Sequence, residues 1–368
     1  MTSEKPWKPR KSSYLEGLEY MKGRMNGTIR SFRTPWPSFD KIGVGDGWDW
    51  QSTIILAGRS GNLKSTIKDS IIQQSFDLNP LEKLRVLNCS FEMIGRVTAL
   101  REFSSVINKP YQYLCNAEGD FKKEDLVACY NYAKIKANSD THPVDVLEDR
   151  MTVREWEAAV EDYMESHKVG DEYTKTIISV DHSLLFVLDK GEGDETGMIR
   201  NLGNALTDLK RKYPIIFIVL SQLNRNAEQS ERLEDNKAGN YIRKSDMFGS
   251  SFLEFHADII IGVSRPATLN IRFYGSSGYI IQDDRDLIIH WLKVRNGSPG
   301  ISFFRCDFDS MTIRESEPLP MRNNTFKKMT APLPVEVKRV ETPQKEEKTL
   351  FAPNESFLQQ GQTGDEPF

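Results

Sequence analysis

The chain has 368 residues, of which 38% are hydrophobic and 28% are charged, with 24 Gly and 17 Pro. This composition is typical of a globular protein and excludes collagen, a coiled-coil rod and a wholly disordered chain. Lys and Arg number 49 against 53 Asp and Glu, so the formal net charge of −4 provides no global basic field for nucleic acid. The length allows two domains, or one large α/β domain with appendages.

The sequence shows no clear membrane or secretion signal and no paired cysteines. The longest apolar run, residues 215–220, is too short to cross a bilayer, and no apolar signal-peptide core follows Met1. The four cysteines lie far apart without a CxxC pair, which predicts reduced thiols and neither disulfides nor a zinc site. We therefore expect a cytoplasmic protein that does not contact a membrane.

Residues 1–33 form a basic N-terminal arm. Its apolar residues recur at helical spacing and predict one amphipathic helix of about three turns that stops near Gly27. Those residues are Tyr14, Leu15, Leu18 and Met21. Because charged flanks isolate the helix, we expect its apolar stripe to dock either on its own domain or on a neighbouring copy.

From residue 34 to residue 318, short apolar strands alternate with helices. Strands are predicted at 52–57, 85–89, 176–180, 215–220, 259–263 and 287–292. Helices are predicted at 65–75, 95–107, 122–138, 153–166 and 198–212. Continuously apolar strands separated by helices indicate an α/β domain whose mainly parallel central sheet is flanked by helices. Beyond it, residues 319–368 are polar and rich in proline, which predicts a disordered tail.

The segment after the first strand has the composition of a phosphate-binding loop. It comprises Gly58, Arg59, Ser60, Gly61, Asn62, Leu63, Lys64, Ser65 and Thr66. Such a loop needs inward backbone N–H groups, a helix N-terminus, a lysine for the β- and γ-phosphates and a hydroxyl for Mg²⁺. The spacing matches GxxxxGK[ST], with one departure. Leu63 replaces a glycine that lets the backbone approach the phosphates, and we expect Gly61 to supply the lost flexibility. A glycine-containing turn that happens to precede a lysine is the alternative.

Besides the hydroxyl of the loop, Mg²⁺ needs an acidic ligand. Asp181 directly follows the apolar strand TIISV, as expected of the strand end that holds Mg²⁺ in ATPases with this loop. Ser65 and Asp181 are therefore the predicted metal ligands, and ATP with Mg²⁺ the predicted cofactors. A solvent-exposed Asp at a strand end is the alternative.

Six further stretches occur in a characteristic order. They are the lead-in at 34–47, SFEM at 90–93, MTVRE at 151–155, SQLNR at 221–225, FHADII at 255–260 and KVRNG at 293–297. From Pro35 to Asp307 the chain thereby resembles the RecA-like motor domain of DnaB-type replicative helicases. The resemblance implies a RecA-like P-loop ATPase fold.

The resemblance also implies roles for individual residues. Glu92, at the end of a strand expected to neighbour the phosphate loop, would polarise the attacking water. Gln222 would sense the γ-phosphate and connect it to the DNA-facing loops. Lys293 and Arg295 would reach into the next subunit's site as a trans-acting finger.

In ring motors of this kind, the loops after the Mg²⁺ strand and after the strand that ends at Gln222 face the central channel. Residues 188–200 and 226–249 are the corresponding loops of this sequence. The first is net acidic, whereas the second carries Arg243 and Lys244, which we predict to contact DNA phosphates. An ordinary solvated loop is the alternative.

The predicted function is an ATP-dependent replicative helicase that translocates on single-stranded DNA as a homo-oligomeric ring, expected to be a hexamer. The alternative is a RecA-fold regulatory or scaffold protein that hydrolyses ATP weakly, which Leu63 favours. The N-terminal arm is not the helical domain through which this family recruits primase, so that interaction is not expected. The acidic tip GDEPF is predicted to dock a polymerase or another replisome protein. An inert solubilising tail is the alternative there.

Overall fold

The computed structural model describes residues 10–43, 46–116, 121–224, 227, 229–235 and 237–318. The predicted tail and its acidic tip lie outside these residues, as does Arg225 of the SQLNR stretch. Within the described ranges, none of the helices combines the length and the apolar character that a membrane span requires.

Nine α-helices and eleven strands are formed by the described residues, besides short 3₁₀ turns. The helices are α1 (Arg10–Met25), α2 (Pro37–Ile42), α3 (Lys64–Leu78), α4 (Gly95–Ile107), α5 (Tyr111–Cys115), α6 (Lys123–Lys136), α7 (Val153–Ser166), α8 (Glu195–Lys212) and α9 (Ser250–His256). The strands are β1 (Ser52–Gly58), β2 (Leu84–Ser90), β3 (Val144–Leu147), β4 (Lys175–Asp181), β5 (Ile215–Gln222), β6 (Ile259–Ser264), β7 (Phe273–Tyr274), β8 (Tyr279–Ile280), β9 (Asp286–Val294), β10 (Gly300–Asp307) and β11 (Thr312–Ser316). Every strand and helix predicted from the sequence is present.

One nine-stranded sheet organises the domain, in the order β11-β10-β9-β6-β1-β5-β4-β2-β3. The six strands from β6 to β3 run parallel, and β9, β10 and β11 extend the sheet antiparallel. The prediction of a mainly parallel sheet is therefore confirmed. Because parallel strands end at one edge, β1, β4 and β5 present their last residues to the same place.

The sheet has a hydrophobic core on each face. Along β1, Ile55 faces a core that includes Trp156 of α7, whereas Ile54 faces the other core with Trp48 and Ile67 of α3. Burying one such aliphatic side chain contributes about 1.5–3 kcal/mol, so a strand buried on both faces is strongly fixed. This packing holds the strand ends rigidly for the site described below.

Helix α1 is longer than predicted, with 16 residues. Its polar side holds it to the domain, since Asp49 accepts hydrogen bonds from Tyr20 Oη at 2.8 Å and from Arg24 Nη2 at 2.9 Å. The four residues of the apolar stripe are 45–60% exposed. The stripe is thus left uncovered by the described part of its own domain.

Candidate functional site

The phosphate-binding loop lies between the end of β1 and the start of α3, as its sequence predicts. Lys64 Nζ donates hydrogen bonds to the carbonyl oxygens of Gly58 and Arg59, both at 2.9 Å. Burial lowers the pKa of Lys64, and the nearby carboxylates of Asp181 and Glu92 oppose that shift. The ammonium is therefore held at the centre of the loop by backbone oxygens.

Leu63 occupies a left-handed backbone conformation, with φ of 65°. A side chain in this region costs roughly 1–2 kcal/mol, which is the physical reason for glycine at this position of the pattern. Gly61 also has a positive φ, of 76°. Our expectation that Gly61 would take over the role of the missing glycine is therefore wrong, because the loop uses the left-handed region at both positions.

A pocket of about 230 Å³ opens beside the loop. Its lining brings together most of the residues predicted to act on the nucleotide. They are Ser60, Gly61, Asn62, Leu63, Lys64, Ser65 and Thr66 of the loop, with Glu92, Asp181 and Gln222. Gly58 and Arg59 contribute the carbonyl oxygens that hold Lys64.

The hydroxyl of Ser65 and the carboxylate of Asp181 are the oxygen donors that suit Mg²⁺ in this pocket. Among the described residues, no group of three or more His, Cys, Asp or Glu side chains could hold a metal. A site with so few protein ligands fits Mg²⁺, which commonly keeps waters and takes substrate phosphates as its remaining ligands.

Glu92 reaches the pocket by a different route from the one expected. Strand β2 is not adjacent to β1, because β5 and β4 lie between them. The chain after β2 instead crosses the end of β4, where Phe91 N donates to Asp181 O at 3.1 Å. The Glu92 side chain is 54% exposed and therefore accessible to water.

A histidine connects Glu92 with Gln222. His182 Nε2 lies 3.2 Å from Gln222 Nε2 and 4.0 Å from Glu92 Oε2. Burial lowers the pKa of His182, which keeps the ring neutral at pH 7, and its Nδ1 accepts from Leu184 N. The remaining ring proton is thus assigned to Nε2, which faces the side-chain amide of Gln222.

Lys293 and Arg295 lie at the opposite edge of the sheet from Lys64, because β9 runs antiparallel to β6. Strands β9 and β10 pair antiparallel as a hairpin. Lys293 Nζ donates to Glu254 O of α9 at 2.5 Å. The side chain of Arg295 is 54% exposed, and its Nε lies 3.2 Å from Asp258 Oδ1. Both contacts are made within the chain, and neither residue lines the pocket described above.

Arg243 and Lys244 lie in the segment that follows β5. Lys244 forms an ion pair with Glu254, whereas the Arg243 side chain is exposed. The segment is held by a half-buried ion pair in which Arg232 donates to both carboxylate oxygens of Asp246, at 2.6 and 2.8 Å. Arg232 therefore stabilises the loop from inside, and Arg243 is presented to solvent.

The model of the DnaB-like helicase C-terminal domain family matches residues 33–313. The chain belongs to this family. A search of curated proteins gave no match.

Two of the solved structures that share the fold of this DnaB-like domain are similar to most of this chain. The first is described as "The Structure Of A DnaB-Like Replicative Helicase And Its Interactions With Primase". It is 18% identical, with a TM-score of 0.66, over 86% of this chain and 69% of the other. The second is described as an ATPase domain and is 17% identical, with a TM-score of 0.64, over 82% of this chain and 98% of the other. These likenesses establish the RecA-like fold.

The pocket also contains residues that the sequence did not indicate. Arg101 of α4 and Met311 of the β10–β11 turn line it, as does His182. Arg101 is one of several charged residues on its helix, and Met311 is distant in sequence, so neither carries a local signal. His182 adjoins the predicted metal ligand Asp181, and that adjacency was the one available indication.

Proposed function

We propose that this chain is the motor of an ATP-dependent replicative DNA helicase, which acts in the cytoplasm and translocates on single-stranded DNA as a ring. One observation carries the proposal. Lys64, Ser65, Asp181, Glu92 and Gln222 come from four separate parts of the chain and line one pocket at the same edge of the sheet.

Each of these residues has a role in ATP hydrolysis that suits its position. The phosphate loop and Lys64 bind the triphosphate, and Ser65 with Asp181 holds Mg²⁺, which neutralises phosphate charge when it is bound. Glu92 orients and polarises the attacking water, and its exposure gives that water access. A group of this kind contributes about 10²–10⁴-fold to the rate.

The edge that carries Arg295 is suited to an adjacent subunit. A residue at the opposite edge from its own phosphate loop completes a site only if another copy presents its pocket there. The exposed stripe of α1 offers apolar surface for the same assembly. We propose that Arg295 acts as the finger in trans within a homo-oligomeric ring, expected to be a hexamer, while Lys293 supports the hairpin through α9.

Gln222 is placed to transmit the state of the nucleotide to the segment that contacts DNA. Its backbone oxygen accepts from Phe248 N at 3.0 Å, and Leu223 pairs with Met247. Both ends of the 223–248 segment therefore meet at Gln222. A shift of Gln222 towards the γ-phosphate would move the segment that presents Arg243 and Lys244 to the DNA backbone.

The test combines three measurements on the full-length chain. Single-stranded DNA should stimulate ATP hydrolysis, and an annealed strand should be displaced when ATP is present. Native mass should show a closed oligomer. Arg243→Ala should weaken binding to single-stranded DNA of any sequence, whereas Arg211→Ala, on α8, serves as the matched control. A rate of ATP hydrolysis that is the same with and without DNA, together with no strand displacement, would contradict the proposal.

The second candidate is a nucleotide-binding regulatory or scaffold protein, and the left-handed Leu63 favours it. Such a protein would bind ATP and assemble, yet turn over slowly with and without DNA. The same hydrolysis assay separates the two candidates.

A further inference from the structure

A second lysine of α3 lies behind the nucleotide pocket. Lys68 is 2% exposed, and its Nζ is 3.3 Å from Asp181 Oδ2, 3.1 Å from Asp69 Oδ1 and 3.4 Å from Asn88 Oδ1. Of the residues that the structure describes, those lining the pocket include Lys64 and Asp181 but not Lys68. The Lys68 ammonium therefore touches Asp181 from the interior of the protein.

The surroundings of Lys68 keep it charged. Burial alone would lower the pKa of Lys68, but the carboxylates of Asp69 and Asp181 outweigh burial and raise it above its ordinary value. Ser179 Oγ donates to Asn88 Oδ1 at 2.6 Å, which fixes the third acceptor. A buried ammonium is tolerated only with such partners, because desolvation of an unpaired charge is strongly unfavourable.

We propose that Lys68 is an internal counter-cation that suppresses binding of a free divalent cation at Asp181 until a nucleotide is present. The proposal rests on the proposed role of Asp181 as a metal ligand. An acid already paired with an ammonium attracts a second cation weakly, and the ammonium repels any ion placed beside it. The phosphates of ATP restore the missing negative charge, so cation and nucleotide bind together.

The test uses Mn²⁺ as the probe and electron paramagnetic resonance to count free ion, with the full-length chain and no nucleotide. Lys68→Met removes the charge and keeps an unbranched side chain that is only one atom shorter. It should bind Mn²⁺ about tenfold or more tightly than the wild type, because Asp181 loses its paired cation. Lys68→Arg keeps the charge and should behave as the wild type.

Two more variants make the result decisive. Lys68→Gln removes the charge but keeps a donor for Asn88 and Asp181, so it serves if Lys68→Met folds poorly by circular dichroism. Asp181→Asn combined with Lys68→Met should abolish the gain in Mn²⁺ affinity. Folded neutral variants that bind Mn²⁺ no more tightly than the wild type would overturn the inference, as would a gain that survives Asp181→Asn.

Failure of the proposed function would look different. If Asp181→Asn leaves Mn²⁺ binding in the presence of ATP unchanged, Asp181 is not the metal ligand and both ideas fall. If Asp181→Asn weakens that binding while the neutral variants at Lys68 have no effect, the proposed metal site stands and only the role of Lys68 is overturned.

Discussion

Asp258 Oδ1 lies 3.2 Å from Arg295 Nε, and the other oxygen of the same carboxylate accepts from Thr53 N at 2.8 Å and Lys210 Nζ at 2.5 Å. Arg295 is thus the exposed member of a carboxylate-centred cluster. A pair with one exposed partner contributes at most about 1 kcal/mol, so Arg295 can leave Asp258 at small energetic cost. This arrangement positions the guanidinium and still permits it to turn towards a neighbouring subunit.

Replacing Arg295 tests whether its guanidinium acts in the site of a neighbouring subunit. Arg295→Ala should leave nucleotide affinity nearly unchanged and remove DNA-stimulated hydrolysis, because it deletes charge stabilisation that is needed only in the transition state. Mixing Arg295→Ala with Lys64→Ala should restore part of the activity, since one subunit then supplies an intact finger and the other an intact pocket. Lys212→Ala, in an exposed ion pair with Glu161, is the control. No rescue in mixed oligomers of confirmed mass would show that Arg295 does not act in trans.

Substitutions at Lys64 and Glu92 should separate binding from turnover. Lys64→Ala should abolish nucleotide binding, because in the proposed mechanism this residue contacts the phosphates in the ground state. Glu92→Gln should bind ATP normally and hydrolyse it about 10²–10⁴-fold more slowly. Equilibrium binding of a fluorescent ATP analogue and steady-state hydrolysis measure the two effects. A wild-type rate for Glu92→Gln would remove Glu92 from the mechanism.

Leu63→Gly should preserve or raise the rate of hydrolysis. Glycine adopts the observed left-handed conformation without strain, and this gain roughly offsets the larger backbone entropy of glycine in the unfolded state. Asn270→Gly is the matched control, because Asn270 also has a positive φ, of 56°, but does not line the pocket. A large loss of activity for Leu63→Gly alone would show that the loop depends on the leucine side chain.

His290 should make stability sensitive to acid. Burial lowers the pKa of His290 to about 4, and its Nε2 lies 2.7 Å from Tyr274 Oη. Between pH 6.5 and 4 the unfolded chain binds a proton that the folded chain does not, so stability falls as pH falls, whereas above pH 6.5 the ring is neutral in both states.

Denaturant titrations across that range should show the free energy of unfolding of the wild type falling by about 3 kcal/mol more than that of His290→Gln. Equal losses in both proteins would mean that His290 does not remain neutral in the folded chain.

The sequence predicted the parallel half of the sheet well, because apolar runs such as 215–220 are long, continuous and bounded by clear turns. It predicted none of β3, β10 and β11, whose burial is mixed along the strand. It also could not establish the direction of β9. Direction depends on the connection between strands, and the local pattern of residues 287–292 is the same either way.

The candidate site divides in a similar manner. Residues in contiguous motifs, such as Lys64 and Ser65, were found because their spacing alone indicates the chemistry. Lys68 and His182 were missed because their importance depends on which strands are adjacent. Lys68 meets Asp181 only because α3 packs on β1 and β5, and β5 lies beside β4 in the sheet. Nothing within either segment of sequence shows that contact.

The uncovered stripe of α1 has a thermodynamic consequence. The side chains of Tyr14, Leu15, Leu18 and Met21 are exposed to water. Covering them with another molecule lowers the free energy of the folded chain. If that molecule is a second copy, the stability of the fold is coupled to association, and its melting temperature rises with protein concentration. A melting temperature measured at one protein concentration would then reflect the fraction of the chain that is assembled at that concentration.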